Sequence, residues 1–134
     1  MRIAIAYPPL ESEKGVPLLS QNRQFQWFKE PTYIYPMVPA YAATLLKQSG
    51  YEVYWLDGIA EEWSFERFMD ELGRIEPDLI FIETKTPVVK MHWKIIDHIK
   101  ERLPNSRVVL AGDHVTALPE ESLLNSKADY VLTG

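Results

Sequence analysis

The chain has no cysteine among its 134 residues. That excludes a disulfide framework, a thiolate zinc site and an iron–sulfur cluster held by this segment itself. It also lacks any apolar run near the ~18 residues of a membrane span. Met1-Arg2-Ile3 opens a strand and not a signal peptide. Basic residues are scarce: 14 Lys and Arg stand against 19 Asp and Glu, a formal net charge of -5. With no basic stripe among its aromatics, the chain offers nucleic acid no footing, and the cytoplasm is its expected compartment. Glycine is sparse, 6 in all. No Gly-x-Gly-x-x-Gly and no glycine-rich turn with Lys-Ser/Thr is present to cradle a phosphate. No Gly-x-Ser-x-Gly elbow marks a nucleophile.

What remains is an ordinary globular composition, 46% hydrophobic and 25% charged, of one-domain length (1–134). Ile3-Ala4-Ile5-Ala6-Tyr7 is a compact apolar run stopped by Pro8-Pro9, a strand buried on both faces. The stretch 10–35 shows no helical or strand period, holds Pro17 and Pro31, and carries a patch from Gln21 to Phe28. A connection of that length is a loop insertion: a lid, a partner contact or a flap on its own domain. Its aromatics Phe25, Trp27 and Phe28 need a surface to cover, and without a partner domain the loop is expected to be mobile or held by another copy of the chain. Met37 to Ser49 is a helix by the spacing of Val38, Tyr41, Ala42, Leu45 and Leu46, stopped at Gly50. Tyr51 to Leu56 is a second strand, ending at Asp57-Gly58, where the acid reads as a turn former. Ser64 caps a helix to about Ile75 with Phe65, Phe68, Met69 and Leu72 on one face. Leu79 to Ile82 is a third strand, running into Glu83-Thr84-Lys85-Thr86-Pro87.

A helix from about Val88 to Arg102 follows, with Val88, His92, Ile95, Ile96, Ile99 and Leu103 on one stripe. His92 there reads as a satisfied core histidine, and His98, six positions on, lies on another face, so the histidines do not converge on a metal. Arg107 to Leu110 is a fourth strand. Ala111-Gly112 forms a tight loop, and Leu118-Pro119-Glu120-Glu121 a helix start. Asp129 to Gly134 makes a fifth strand. Strands alternating with helices in this order predict an α/β fold: a doubly wound five-stranded parallel sheet, flavodoxin-like, of order 2-1-3-4-5. The helix that would normally follow the fifth strand is missing, which makes the chain a piece of a longer polypeptide by expectation.

In such sheets ligands sit outside the carboxyl ends of the strands. That edge gathers Tyr7, Pro8, Asp57, Glu83, Thr84, Thr86, Gly112, Asp113, His114, Thr133 and Gly134. Gly112 either opens a ligand slot or merely permits a turn. A phospho-acceptor receiver shares the topology, but it needs acids where Tyr7-Pro8-Pro9 stand and an aspartate where Glu83 stands. No catalytic set converges, so a freestanding enzyme ranks last.

The order of pieces resembles a known family. Tyr7-Pro8-Pro9 after the opening strand is followed by Pro36-Met37-Val38-Pro39-Ala40-Tyr41 through Gly50-Tyr51-Glu52-Val53. Then come Pro77-Asp78-Leu79-Ile80, Gly112-Asp113-His114-Val115-Thr116-Ala117-Leu118-Pro119-Glu120-Glu121 and Ala128-Asp129-Tyr130-Val131-Leu132-Thr133-Gly134. This is similar to the N-terminal cobalamin-binding domain of cobalamin-dependent radical S-adenosylmethionine enzymes, such as the anaerobic magnesium-protoporphyrin IX monomethyl ester cyclases and many methyltransferases. The resemblance implies that the corrin of cobalamin (vitamin B12) lies over the carboxyl edge. It implies a slot for the nucleotide tail at Ala111 and Gly112, with Thr84 and Thr86 in the hydroxyl-bearing loop. Cofactor-binding residues are then Tyr7, Pro8, Pro9, Glu83, Thr84, Thr86, Ala111, Gly112, Asp113, His114, Thr133 and Gly134. The sequence departs from the family where Glu83 replaces a small hydroxyl residue and Ala111 a glycine. The Asp-x-His-x-x-Gly cobalt-ligating signature of mutases is absent, implying cobalamin without a protein imidazole, its lower cobalt face near Tyr7 and Pro8. In the parent enzyme a C-terminal radical barrel would supply the 4Fe-4S cluster and S-adenosylmethionine, so this segment alone is not catalytic. The alternative is a docking or substrate-gating domain of the same fold that has lost the corrin.

Overall fold

The computed structural model describes residues 1–19 and 25–134. The Gln21–Gln24 part of the polar-aromatic patch lies outside the described residues. In chain order the elements are β1 (Arg2–Tyr7), β2 (Val16–Leu18), β3 (Gln26–Phe28), α1 (Met37–Gln48), β4 (Glu52–Asp57) and α2 (Phe65–Ile75). They continue with β5 (Leu79–Glu83), α3 (Val89–Arg102), β6 (Arg107–Ala111), α4 (Asp113–Ala117), α5 (Pro119–Asn125) and β7 (Tyr130–Leu132). Five strands form one parallel sheet of order β4-β1-β5-β6-β7, the predicted 2-1-3-4-5.

The central strands are apolar because helices cover both faces. Ile3 to Tyr7 of β1 are all buried, as are Ile80 and Ile82 of β5 and Val108 to Leu110 of β6. α2 begins where Ser64 accepts the Arg67 N–H, and it buries Phe68, Met69, Leu72 and Ile75. α3 buries Val89, His92, Trp93, Ile95, Ile96 and Ile99. The stripe on α1 behaves differently. The helix forms where its spacing predicts, but Val38 is 73% exposed, Tyr41 69% and Leu45 65%, and only Pro39 is buried. Periodicity fixed the element there and not its burial.

Two segments depart from expectation. The insertion carries an antiparallel hairpin, β2 on β3, with Val16 opposite Phe28 and Leu18 opposite Gln26. Leu10, Leu18 and Leu19 are buried, and Phe25 and Trp27 lie against the core, so the aromatics cover the protein's own domain. Between the tight Ala111-Gly112 loop and the expected helix start the chain adds a short helix that was not predicted. Gly112 caps the short helix α4, accepting the Thr116 N–H and hydroxyl, before Pro119 starts α5. β7 is fastened at its start by Asp129, whose carboxylate accepts the Val108 N–H at 2.8 Å, Lys100 at 3.0 Å and Arg107 at 2.8 Å.

Candidate functional site

The carboxyl ends of the strands form two unlike halves. Over β1 and β4 the hairpin and residues 32–36 enclose an apolar cavity of about 260 Å³. Trp55 of β4 lies outside that lining but stacks on Tyr35 at 6.0 Å and stands 5.8 Å from Tyr7, two residues that do line it. Asp57 closes β4 and accepts the Ala60 N–H at 3.0 Å, the turn-forming role expected of it. Burial raises its carboxyl, against the backbone N–H groups of Ala60 and Ile59.

Tyr7 marks the boundary. It is buried, and its hydroxyl donates to Glu83 Oε2 at 2.6 Å. Burial raises the Tyr7 phenol, and Glu83 beside it raises it further. Burial also lifts the Glu83 carboxyl, although the Tyr7 hydroxyl and Lys85 oppose the change. The pair joins β1 to β5 at the centre of the edge. Pro8 is buried and Pro9 half-buried.

Over β5, β6 and β7 the edge is open, and its loops are tied to one another. Thr84 is fully buried, and its hydroxyl shares a 2.7 Å hydrogen bond with His92 Nδ1. Burial pushes His92 down to about 3, so it sits neutral in the core, with no hydrogen-bond partner at Nε2 among the described residues. Lys85 is buried, and its ammonium reaches Asp113 at 3.1 Å, linking the loops after β5 and β6. Sequence reasoning passed over Lys85 because lysine is ordinarily a surface residue. Thr86 is exposed, with its hydroxyl 3.2 Å from Nδ1 of buried His114. Glu121 stands 2.8 Å from the other ring nitrogen without the alignment of a hydrogen bond. Thr116 reaches Gly134 across the same surface, and Thr116, Thr133 and Gly134 are exposed.

Gly112 decides between its two readings. Its φ is +114°, and a Cβ built there would lie 2.2 Å from the Thr84 carbonyl oxygen. The space is filled by the protein's own backbone, so Gly112 serves a close approach and a turn and does not open a slot. Ala111, half-buried, is paired between Glu83 and Leu132 inside the sheet. Of the residues expected to meet a ligand, Thr84, Ala111 and Gly112 are therefore occupied within the protein, and His114 is buried beneath Thr86. Thr86, Asp113, Thr133 and Gly134 are presented together.

This surface brings together exposed hydroxyls of Thr86, Thr116 and Thr133 and the Asp113 carboxylate, groups able to hydrogen-bond an amide-bearing ring. It supplies no imidazole for cobalt: Tyr7-Pro8-Pro9 follow β1, and His92 and His114 are engaged inside the protein. Residues that could hold the ring are Thr86, Asp113, Thr116 and Thr133.

Order 2-1-3-4-5 with an open carboxyl edge defines a Rossmann-like ligand-binding α/β domain. The chain belongs to the B12-binding domain family, whose model matches residues 31–134. That match begins past β1 and the hairpin. An uncharacterized methyltransferase of Pyrococcus horikoshii is 28% identical over 85 residues, 63% of this chain and 18% of that protein. The anaerobic magnesium-protoporphyrin IX monomethyl ester cyclase of Cereibacter sphaeroides is 29% identical over 82 residues, 60% of this chain and 13% of that one. The chain thus spans less than a fifth of these relatives. A crystal structure of a cobalamin-binding protein from Desulfitobacterium hafniense superimposes with a TM-score of 0.62 at 14% identity, covering 99% of this chain and 52% of that one, a likeness of fold.

Proposed function

We infer that this domain carries cobalamin on the open half of its carboxyl edge, with no protein imidazole on the cobalt. The observation that carries the reading is the joint exposure of Thr86, Asp113, Thr133 and Gly134 on loops joined by the Lys85–Asp113 ion pair and by the close approach of the Gly112 and Thr84 backbones. Bound cobalamin would supply a reactive cobalt centre. The protein's own part is to seat the ring and orient it; of the Tyr7-Pro8-Pro9 turn expected near its lower face, Tyr7 and Pro8 are buried and only Pro9 is partly presented. The two curated relatives support a cyclase-like or methyltransferase-like parent, which the resemblance in sequence assigns to the radical S-adenosylmethionine class and which we place in the cytoplasm. A C-terminal barrel of that parent would bring the 4Fe-4S cluster, S-adenosylmethionine and the catalysis. Titration with hydroxocobalamin tests the cofactor reading: the corrin bands should shift saturably and co-elute with protein, and Thr86→Trp should weaken retention. Unchanged bands with no co-elution at high micromolar protein would end it. The Tyr7–Glu83 bond across the centre of the edge favours a second reading, a docking or gating domain without corrin, and that outcome would support it.

A further inference from the structure

The cavity beneath the hairpin lies over β1 and β4, beside the open half where the cofactor is placed, and its hairpin wall and Tyr7 fall outside the residues the family model matches. Its walls are apolar: Pro17, Leu18 and Leu19 from the hairpin, Ile34 from the segment before α1, and Ile59 from the turn after β4. Its volume of about 260 Å³ is just under the ~300 Å³ at which small-molecule sites begin, and such sites pair apolar walls with a few placed polar groups.

The polar side chains on its wall are Tyr7, Thr32, Tyr33, Tyr35 and Asp57. Tyr7 donates its hydroxyl to Glu83, Thr32 donates to the Glu30 carbonyl, and Tyr33 donates to Glu62 at 2.8 Å. Tyr35 is stacked on Trp55. Asp57 is the one ionisable carboxylate among them, half-buried beside apolar groups. Its bonds to the turn use backbone N–H groups and leave a carboxylate further acceptor capacity. A carboxylate against apolar walls is costly unless a cation meets it.

The geometry points to this pocket as a second binding site, distinct from the cofactor edge, for a small apolar-bodied amine. Its ammonium would pair with Asp57, and its single ring or short branched chain would lie among Leu18, Leu19, Ile34 and Ile59. Tyr7 is the shared wall, with its ring on the pocket and its hydroxyl on the Glu83 side. The proposal does not depend on cobalamin being bound.

Phenethylamine is the probe, with phenylacetate as its anionic counterpart, followed by amide NMR of the isotopically labelled chain. Saturable shifts are expected at Thr32 to Tyr35 and Asp57 to Ala60 for the amine and not for the acid. Asp57→Asn keeps a backbone acceptor for the turn but should weaken the amine about tenfold or more, the scale of one charge-assisted hydrogen bond. Ala60→Phe, on an exposed wall position, should fill the cavity and abolish binding without touching the carboxylate, so it decides the matter if Asp57→Asn fails to fold. Equal binding of phenylacetate, unchanged affinity in either variant, shifts confined to other surfaces, or no saturation would each overturn the proposal. Competitive displacement of phenethylamine by hydroxocobalamin would overturn it too, by making the pocket part of the cofactor seat.

Discussion

The two halves of the carboxyl edge are built by opposite means. Over β1 and β4 the chain adds a segment, folds it back as a hairpin and encloses space with Leu18 and Leu19. Over β5, β6 and β7 it adds almost nothing. One glycine turns β6 into α4, and Lys85, Thr86 and Thr116 tie neighbouring loops together. The first half owes its shape to apolar contents that can rearrange. The second owes it to directional hydrogen bonds and one close backbone approach, and a surface tied in this way loses less freedom when a rigid ligand settles on it.

The sharpest way to break this contrast is Gly112→Leu. A side chain at φ +114°, aimed at a carbonyl 2.2 Å from its Cβ, should cost about 3–5 kcal/mol of unfolding free energy in urea. An unchanged midpoint would mean that the open half yields as readily as the roof. Next in size is Leu19→Asp, which places a charge in the buried floor of the roof. About 2–3 kcal/mol should be lost there. Protease should then cut within 10–35 while the sheet resists, and equal damage to the sheet would erase the distinction.

His92 sharpens the contrast through pH. Its folded value of about 3 lies below the unfolded value of ~6.5, so between these limits the unfolded chain binds the extra proton. This group's contribution is therefore complete above pH ~6.5 and is lost as pH falls toward the folded value. His92→Leu should flatten that slope in melts across pH. Near neutral pH it should cost about 1–2 kcal/mol, because the buried Thr84 hydroxyl loses its partner. If the slope persists, another group carries it. The smallest effect is expected at Leu45→Gln on the outward face of α1, within about 0.5 kcal/mol of wild type by thermal melt. A large loss there would show that α1 is held in a way its exposure hides.

The sheet was legible because its signals are local: apolar runs ended by Pro8-Pro9, by Glu83 and by Gly112, with Ser64 and Pro119 marking helix starts. The hairpin was not. Val16-Pro17-Leu18 and Gln26-Trp27-Phe28 are each three residues long, and a proline in the first argues against a strand. At the site, the exposed Thr86, Asp113, Thr133 and Gly134 were visible from their place after strands. The contacts that occupy the others span long intervals of sequence, as Tyr7 to Glu83 does, and leave no periodic trace. Gly112 was ambiguous for the same reason: its neighbour is the backbone of Thr84, a different strand's end.

Trp55 has a consequence of another kind. Its indole touches Tyr7, at the rim of the open half, and Tyr35, in the wall of the roofed one. Trp93 is nearly buried and donates to Ser122, Trp63 lies under Arg67, and Trp27 stands on the hairpin edge-on to Phe25, so Trp55→Phe supplies the reference that isolates the Trp55 signal. The half-exposed Trp55 is thus a built-in optical gauge whose fluorescence colour and lifetime answer to both neighbours. A coloured ring on one side would quench it by energy transfer, whereas a colourless guest on the other would only move its emission, so one fluorophore could tell which half of the edge had changed.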